Sequence, residues 1–151
     1  MPSQEFENNT QEKIIMQMCF ELGKLCPHKS QAFDVGCIIT NDNYEVLSYG
    51  YSRKYGLERN EHAEEIAINE LPKNITKITK IMIFTSMEPC SRRLSGKKSC
   101  VDRILNLINE GTPVIKIIYG TKEPKTLVPD CCGFEKLINA KIDIYIINAN
   151  D

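Results

Sequence analysis

Four residues whose types suit metal binding and proton transfer lie in two short segments of the chain. His62 and Glu64 form the first segment, and in the second Cys90, which follows a proline, precedes Cys100 by nine intervening residues. One histidine and two cysteines are the protein ligands of an open zinc site, in which the fourth position is left to water. Zinc lowers the pKa of that water to about 7, and a nearby glutamate that is not a ligand moves the protons. The spacing therefore predicts zinc-dependent hydrolysis.

A structural zinc site beside an unrelated surface glutamate is the alternative interpretation of this pattern. Structural zinc sites normally close with four protein ligands, and these segments offer three. The other histidine, His28, follows Cys26 and Pro27 at the predicted end of a helix, and it is expected on the surface rather than at the metal. The three-ligand set therefore favours catalysis.

The elements that position these residues are predicted from hydrophobic periodicity. A helix over 10–26 ends before Pro27 and should bury one apolar face,. That face consists of Ile14, Ile15, Met18, Leu22 and Leu25. The later predicted elements are strands over 35–40 and 46–51, a helix over 62–71, a strand over 80–85, a helix over 101–109, a strand over 114–119, a helix over 133–140 and a strand over 142–147.

The alternation of strands and helices after an initial hairpin predicts an α/β fold. We expect a three-layer αβα sandwich around a mixed five-stranded sheet, whose later strands are parallel and buried because they are nearly continuous apolar runs. Both candidate metal-binding segments come where a strand gives way to a helix, which is where α/β sheets place their sites. Helix N-termini there also favour the thiolate form of cysteine. No linker or repeat divides the sequence, so residues 1–151 are interpreted as one domain.

The composition is that of a globular protein, with 42% hydrophobic and 26% charged residues,. No apolar run reaches the roughly 20 residues of a membrane helix, and the polar N-terminus resembles neither a secretory signal nor a transit peptide. We therefore expect a cytoplasmic protein without a membrane partner, with the nucleus left open as a second location. A net charge of −1 and the lack of tryptophan argue against nucleic acid as a partner,.

The seven cysteines are predicted to stay reduced, because no secretory signal is seen and an odd number cannot pair fully within one chain,. Cys90 and Cys100 are the candidate ligands, and the other five are given no functional role. These are Cys19 and Cys37, expected as buried fillers of a helix and a strand, Cys26 at the end of the first helix, and the adjacent pair Cys131 and Cys132,.

The segments that carry the candidate ligands resemble the cytidine deaminase superfamily. The likeness is strongest to one branch, the pyrimidine deaminases of riboflavin biosynthesis and especially the fungal type, and it covers about residues 32–147. Arg93-Leu94-Ser95-Gly96 is the discriminating piece, because most members of the superfamily have only two residues between the cysteines. The other matching residues are Val35-Gly36-Cys37, Val46-Leu47-Ser48, Gly50-Tyr51-Ser52-Arg53, Asn60, Met87-Glu88-Pro89-Cys90-Ser91, Val101, Arg103 and Ile104.

This resemblance implies zinc as the cofactor, a cytidine deaminase-like fold, and a homodimer or homotetramer. It also implies hydrolytic deamination of 2,5-diamino-6-ribitylamino (or ribosylamino)-4(3H)-pyrimidinone 5′-phosphate, a small phosphorylated pyrimidine, with Glu64 as the proton shuttle. Asn60 is then a candidate for holding the sugar or the ring edge of the substrate, although it equally suits the cap of the helix that follows it.

Basic and hydroxyl side chains near the ligands are further candidates for contacts with the substrate. Arg93, Lys97 and Lys98 lie between the cysteines and are candidates for gripping the phosphate through charge-assisted hydrogen bonds. A solvated basic loop is the alternative, and Arg53 is a similar candidate. Ser91 follows a ligand and is expected either to hydrogen-bond its thiolate or to cap the turn.

Three rival functions fit parts of the pattern. A deaminase of cytidine or deoxycytidylate would use the same zinc site, whereas an editing deaminase of tRNA or single-stranded DNA would need aromatic platforms and a basic groove. A non-catalytic subunit stabilised by zinc would have no need of Glu64. Members of the resembled family often carry a reductase or a pseudouridine synthase domain, which 151 residues cannot hold. Both a free-standing enzyme and a piece of a longer chain are left open.

Overall fold

Four helices and five strands follow one another in the described part of the chain, in the order that the sequence predicts. The structure is a computed structural model, and it describes residues 4–75, 78–90, 93, 96–122 and 133–147. The elements are α1 (Gln4–Gly23), β1 (Gly36–Asn41), β2 (Val46–Tyr51), α2 (Ala63–Asn69), β3 (Ile81–Thr85), α3 (Cys100–Asn109), β4 (Val114–Tyr119), α4 (Gly133–Asn139) and β5 (Asp143–Ile146). Every predicted element is confirmed, with the largest shift at the two ends of α1.

The five strands form one mixed sheet in the order β2-β1-β3-β4-β5. β1 is antiparallel to both β2 and β3, whereas β3, β4 and β5 are parallel to one another. One hydrophobic cluster lies between the sheet and α1, and a second lies between the opposite face of the sheet and α2, α3 and α4. The predicted three-layer αβα sandwich with parallel later strands is therefore confirmed.

β3 is the central strand of the sheet and is buried along its whole length. Ile81 and Ile83 pack toward α2 and α3, and the alternate residues Met82 and Phe84 pack toward α1. Burial on both faces explains the continuous apolar run of this strand. β5 lies at the edge of the sheet, and its Ile146 is 47% exposed. The expectation of a fully buried last strand is therefore wrong.

The buried face of α1 differs from the predicted one. Ile15, Met16 and Cys19 are buried against the sheet. The exposed members of the predicted face are Ile14, Met18 and Leu25, and Leu25 lies beyond the end of the helix at Gly23. Among the described helices, α1 included, none has the length and apolar character that crossing a membrane requires.

A buried carboxylate forms part of the face that α1 turns toward the sheet. Glu12 is buried, and its carboxylate accepts hydrogen bonds from Tyr44 Oη at 2.8 Å and from Tyr145 Oη at 2.6 Å. Lys116 Nζ lies 3.5 Å from the same group. A buried carboxylate is costly without such partners, so these contacts let Glu12 lie on the same buried face as Ile15, Met16 and Cys19,. Ile14 lies outside this face and is exposed.

A glycine in β2 lets α2 approach the sheet closely. A Cβ atom on Gly50 would lie 2.6 Å from the carbonyl oxygen of Ala63 and 3.0 Å from the backbone nitrogen of Ala67. Beside it, Ser48 Oγ donates a hydrogen bond to the carbonyl oxygen of Ala67 at 2.7 Å. The backbone of β2 therefore determines where α2 lies, and the first residues of α2 belong to the candidate site.

Candidate active site

His62 lies at the junction between the loop after β2 and the start of α2. Its backbone is extended, with φ −81° and ψ 158°, and it forms the N-cap of the helix. The His62 N–H donates a hydrogen bond to Glu65 Oε1 at 3.1 Å. Glu65 is the third residue of the helix, and this contact is the one that its side chain makes in a capping box,. The alternative interpretation of Asn60 as the helix cap is wrong, because His62 occupies that position.

Cys90 and Cys100 are held together by the first turn of α3. The turn is capped by Ser99, whose hydroxyl accepts a hydrogen bond from the Asp102 N–H at 3.1 Å. The Cys100 N–H donates to Cys90 Sγ at 3.2 Å, and the Val101 N–H donates to the Cys90 carbonyl at 3.0 Å. N–H groups at a helix N-terminus have no partner within the helix and stabilise a thiolate placed against them.

The three predicted ligands converge on one point. His62 Nδ1 lies 3.6 Å from Cys90 Sγ and 3.5 Å from Cys100 Sγ, and the three ligand atoms all fall within 4.8 Å of one another. Tetrahedral zinc, with bonds of about 2.0 Å to nitrogen and 2.3 Å to sulfur, requires ligand atoms about 3.5–3.8 Å apart. Both the donor types and their spacing therefore fit a zinc ion.

The two thiols differ in how readily they lose a proton. Hydrogen bonds from Cys100 and His62 outweigh burial and lower the pKa of Cys90 to about 4. The hydrogen bond to Cys90, followed by burial and the charge of Glu64, raises the pKa of Cys100. Cys90 is therefore the thiol that loses its proton more readily, and a bound cation would displace the proton of the second thiol.

Glu64 projects from the first turn of α2 toward the same point. Its Oε1 accepts a hydrogen bond from Thr85 Oγ1 at 2.6 Å, and its Oε2 lies 3.2 Å from Cys100 Sγ. Burial raises the pKa of Glu64 above its ordinary value, while the hydrogen bond from Thr85 and the nearby His62 act in the opposite direction. A buried carboxyl group with a raised pKa beside a metal site suits proton transfer.

A second buried carboxylate, Glu65, is a feature that the sequence interpretation missed. Its Oε1 also accepts a hydrogen bond from Arg93 Nη1 at 2.9 Å, and its Oε2 forms an ion pair with Arg103 Nη2 at 2.9 Å. Burial acts to raise the pKa of Glu65, but the hydrogen bonds from His62 and Arg93 and the charges of both arginines lower it. The sequence signal for this Glu65 cluster (Glu65, Arg93 and Arg103) is that each arginine follows a cysteine ligand by three residues.

Arg53 and Asn60 lie in the loop that leads from β2 to the metal ligand of α2. Both have left-handed backbones, with φ of 62° and 48°. The buried guanidinium of Arg53 donates to the carbonyl oxygens of Pro27 at 2.9 Å and Phe33 at 3.1 Å, and it pairs with Asp34. Arg53 therefore braces the loop from within the protein, and its contact with substrate stays a prediction.

The basic residues between the cysteines are placed by contacts with the loop before α2. Arg93 Nη2 donates to the Asn60 carbonyl at 2.8 Å, and the Arg93 side chain is only 2% exposed. Lys97 Nζ donates to the carbonyl oxygen of Arg59 at 2.7 Å, and Lys98 is exposed. The structure thus leaves the two lysines at the surface and encloses the arginine. Ser91, the remaining candidate, lies outside the described residues.

The residues that were given no functional role are placed largely as predicted. Cys19 and Cys37 are both fully buried, which confirms them as core fillers. Cys26 lies in a turn beyond the end of α1, so the expectation that it ends the helix is wrong. His28 is exposed, as expected. The pair at 131–132 lies outside the described residues.

The fold and the site together define a class of protein. The chain belongs to the family described as the cytidine and deoxycytidylate deaminase zinc-binding region, whose model matches residues 9–116. The resemblance seen in the sequence, the fold expected from it, and zinc as the cofactor of the family are therefore confirmed.

Particular proteins that resemble this chain include members of the riboflavin branch that the sequence indicates. The chain is 37% identical over 121 residues to the diaminohydroxyphosphoribosylamino-pyrimidine deaminase of Schizosaccharomyces pombe, and the match covers 79% of this chain but 28% of that relative's length. It is similar to the crystal structure of Aspergillus oryzae Rib2 deaminase in complex with DARIPP, with a TM-score of 0.75 and 26% identity over 91% of this chain and 84% of that one. The dCMP deaminase of cyanophage S-TIM5 shares the fold, with a TM-score of 0.64 and 18% identity over 97% of this chain and 100% of that one. These homologues are deaminases.

Proposed function

We propose that this protein is a zinc-dependent deaminase of riboflavin biosynthesis, with 2,5-diamino-6-ribitylamino (or ribosylamino)-4(3H)-pyrimidinone 5′-phosphate as its substrate. The observation that carries the proposal is the buried Glu64 carboxylate, 3.2 Å from Cys100 Sγ in a group of three zinc-type ligands. The similarity to the S. pombe and A. oryzae deaminases supports the substrate.

In this proposal, the residues of the chain bind the metal and move the protons. His62, Cys90 and Cys100 would hold zinc, which would supply Lewis-acid activation of a water near neutral pH. Glu64 would pass one proton of the water to the ring nitrogen as the C–O bond forms, and would then pass the second proton of that water to the amine as the C–N bond breaks and ammonia leaves. Thr85 holds one oxygen of Glu64, so the carboxylate keeps its orientation while its protonation changes.

We assign the substrate contacts to the loop before α2 and to the loop between the cysteines. The Asn60 side chain would hold the sugar or the ring edge, and its left-handed backbone, at φ 48°, is one that asparagine adopts more readily than most residues,. Lys97 and Lys98 are exposed cations and would contact the phosphate,. Arg93 would support both contacts by holding the two loops together.

The substrate is tested with a panel assayed by ammonia release. The panel contains the diaminopyrimidinone phosphate, its dephosphorylated form, deoxycytidylate and cytidine. We expect turnover of the diaminopyrimidinone phosphate and a raised KM for the form without phosphate. Turnover of deoxycytidylate or cytidine, without turnover of the diaminopyrimidinone phosphate, would refute the proposed substrate and indicate a nucleotide or nucleoside deaminase.

Glu64→Gln tests the proton shuttle separately from the metal. The amide keeps the size of the side chain but cannot take a proton, so kcat should fall by roughly 10²–10⁴-fold while zinc stays bound. Glu70→Gln is the matched control, because Glu70 lies just beyond the other end of α2 and pairs with Lys54 at 3.7 Å. A Glu64→Gln protein as active as this control would remove Glu64 from the chemistry.

Metal analysis tests the cofactor without reference to any substrate. Protein purified without chelators should hold about one zinc per chain, and a chelator should remove both the zinc and the activity. Cys90→Ser should lose zinc, whereas Cys37→Ser, at a buried thiol outside the ligand group, should keep it. Zinc-free protein with full activity would contradict the proposal.

We also propose that residues 1–151 act as one domain that forms a homodimer or homotetramer in the cytoplasm. Exposed apolar side chains on α1, including Ile14 at 52% and Met18 at 44% exposure, support self-association,. The described cysteines are free thiols, which suits a reducing compartment,. Light scattering should give a multiple of the chain mass, and Ile14→Asp with Met18→Asp should lower it. A monomeric wild-type protein would contradict this assignment.

A further inference from the structure

Glu65 contacts the chain beside each of the three zinc-type ligands. It accepts a hydrogen bond from the N–H of His62 itself at 3.1 Å. Arg93 and Arg103, bound at 2.9 Å each, both lie three residues beyond a cysteine ligand. The ligands come from the cap of α2, the segment after β3 and the first turn of α3, and one carboxylate thus connects all three.

The contact of Glu65 with Arg93 is shielded from water, whereas its other partner, Arg103, is 22% exposed. The Glu65 side chain is 9% exposed, and the Arg93 side chain is 2% exposed. Removal of one partner from a buried ion pair leaves the other charge uncompensated, so the groups around it must move or admit water. The pairing of Glu65 with its two arginines therefore constrains the segments that carry the ligands more than a surface ion pair would.

The Glu65 cluster also reaches the residues that precede the histidine ligand. Arg93 uses its second terminal nitrogen to hold the Asn60 carbonyl at 2.8 Å. Lys97, further along the same loop, holds the Arg59 carbonyl at 2.7 Å. The loop between the cysteines is thus fastened to the loop before α2 at two points, and the first of these points is connected to Glu65.

Glu65 is not placed for proton transfer. Its two carboxylate oxygens are engaged by the His62 N–H and by both arginines. Neighbouring residues on a helix point about 100° apart, so Glu64 faces the ligand group while Glu65 faces α3 and the loop between the cysteines. The two adjacent glutamates therefore have different surroundings and different roles.

We propose that Glu65 is a positioning residue of the zinc site, which, through Arg93 and Arg103, fixes the ligand-bearing segments relative to one another. It does this without contacting the substrate. The inference extends the proposed function, but its first test is zinc affinity, which requires no substrate. Loss of groups that orient metal ligands typically weakens metal binding or activity by about 10–100-fold.

Glu65→Gln is the direct test, with Glu70→Gln as the matched control. Zinc affinity is measured by competition with a chromogenic chelator, and the ligand geometry is followed by the visible absorption of the cobalt-substituted protein. We expect the zinc Kd of Glu65→Gln to rise about 10–100-fold and its cobalt bands to shift, with the control unchanged. A Kd within about threefold of the control, with the same cobalt spectrum, would overturn the proposal.

Two conservative arginine variants keep the test decisive if Glu65→Gln does not fold. Arg93→Lys retains the charge, but a lysine cannot bind Glu65 and the Asn60 carbonyl in the forked geometry of arginine. Arg103→Lys can retain its single contact with Glu65. We expect Arg93→Lys to weaken zinc binding more than Arg103→Lys and to lower kcat more than it raises KM. Unchanged zinc affinity in both variants would overturn the proposal.

If Arg93 binds the substrate phosphate instead, the result differs from the one expected for a positioning role. Arg93→Lys would then raise KM for the phosphorylated pyrimidine but not for the dephosphorylated one, with zinc affinity unchanged, and this result would refute the positioning role. If no pyrimidine in the panel is turned over, the proposed function fails. The zinc affinities of the variants would still decide whether Glu65 positions the ligands.

Discussion

Replacing Gly50 by alanine tests whether the sheet sets the position of the helix that carries the site. The added Cβ would lie 2.6 Å from the Ala63 carbonyl oxygen, whereas ordinary van der Waals contact begins at 3.4 Å. Relief of that overlap requires α2 to move by up to about 0.8 Å, because the opposing atoms belong to backbone. Ala63 lies between His62 and Glu64, so both move with it. Since a misplacement of about 1 Å can cost 10²-fold in rate, we expect kcat to fall roughly 10- to 100-fold.

The measurements must separate displacement of the helix from loss of stability. Overpacking should also lower the free energy of unfolding by about 1–3 kcal/mol. Gly120→Ala is the matched control, because its Cβ would lie 2.7 Å from ring atoms of Phe20 in α1, a side chain that can rotate away. Thermal unfolding, zinc affinity and ammonia release are measured for both variants. A folded Gly50→Ala protein with the kcat and zinc affinity of the control would refute the reasoning.

Three further changes test contacts around the site and the core. Thr85→Val removes the hydroxyl that lowers the pKa of Glu64, so that pKa should rise and the acid limb of the kcat/KM profile should move to higher pH. Thr85→Ser should leave the limb in place, and equal profiles for both variants would contradict the assignment. Tyr145→Phe removes a hydrogen bond of 2.6 Å to the buried Glu12 carboxylate and should cost about 1–3 kcal/mol in urea unfolding, so an unchanged midpoint would argue against it,. Ser99→Ala removes the N-cap of α3 and should cost about 1 kcal/mol, measured in the same way, whereas Ser99→Asp should restore the cap,.

The features that could be predicted from the sequence are those recorded in short stretches of it. The strands β1 to β4 follow from runs and alternations of apolar residues, and their order limits the sheet to few topologies. The ligand group was predicted because zinc restricts its ligands to a few residue types. The residue types of His62, Cys90 and Cys100, and their places near predicted helix starts, were therefore enough to predict them as ligands.

The features that could not be predicted depend on partners that are distant in the chain. Glu12 lies on the buried side of α1, and one of its hydrogen-bond partners there is Tyr145, 133 positions away. In the sequence, nothing distinguishes Glu65 from a surface glutamate. Its role becomes visible only in the fold, which places α2 against α3 and the loop between the cysteines. Periodicity gives the spacing of apolar residues along a helix, whereas the rotation of the helix about its axis depends on the side chains that pack against it.

The pairing of β1 with β3 has a consequence for the order of events in folding. The β1–β2 hairpin closes locally, but Thr40 pairs with Met82, on the order of forty residues further along, so a much longer loop must close before this pairing forms,. His62 lies within that loop, and both cysteine ligands lie beyond it. We expect the hairpin to form early in refolding and the metal-binding group to assemble only after the central pairing. Zinc would then bind late in folding, after the sheet is ordered, and would stabilise the native state rather than the transition state. The zinc concentration should therefore affect the unfolding rate far more than the folding rate.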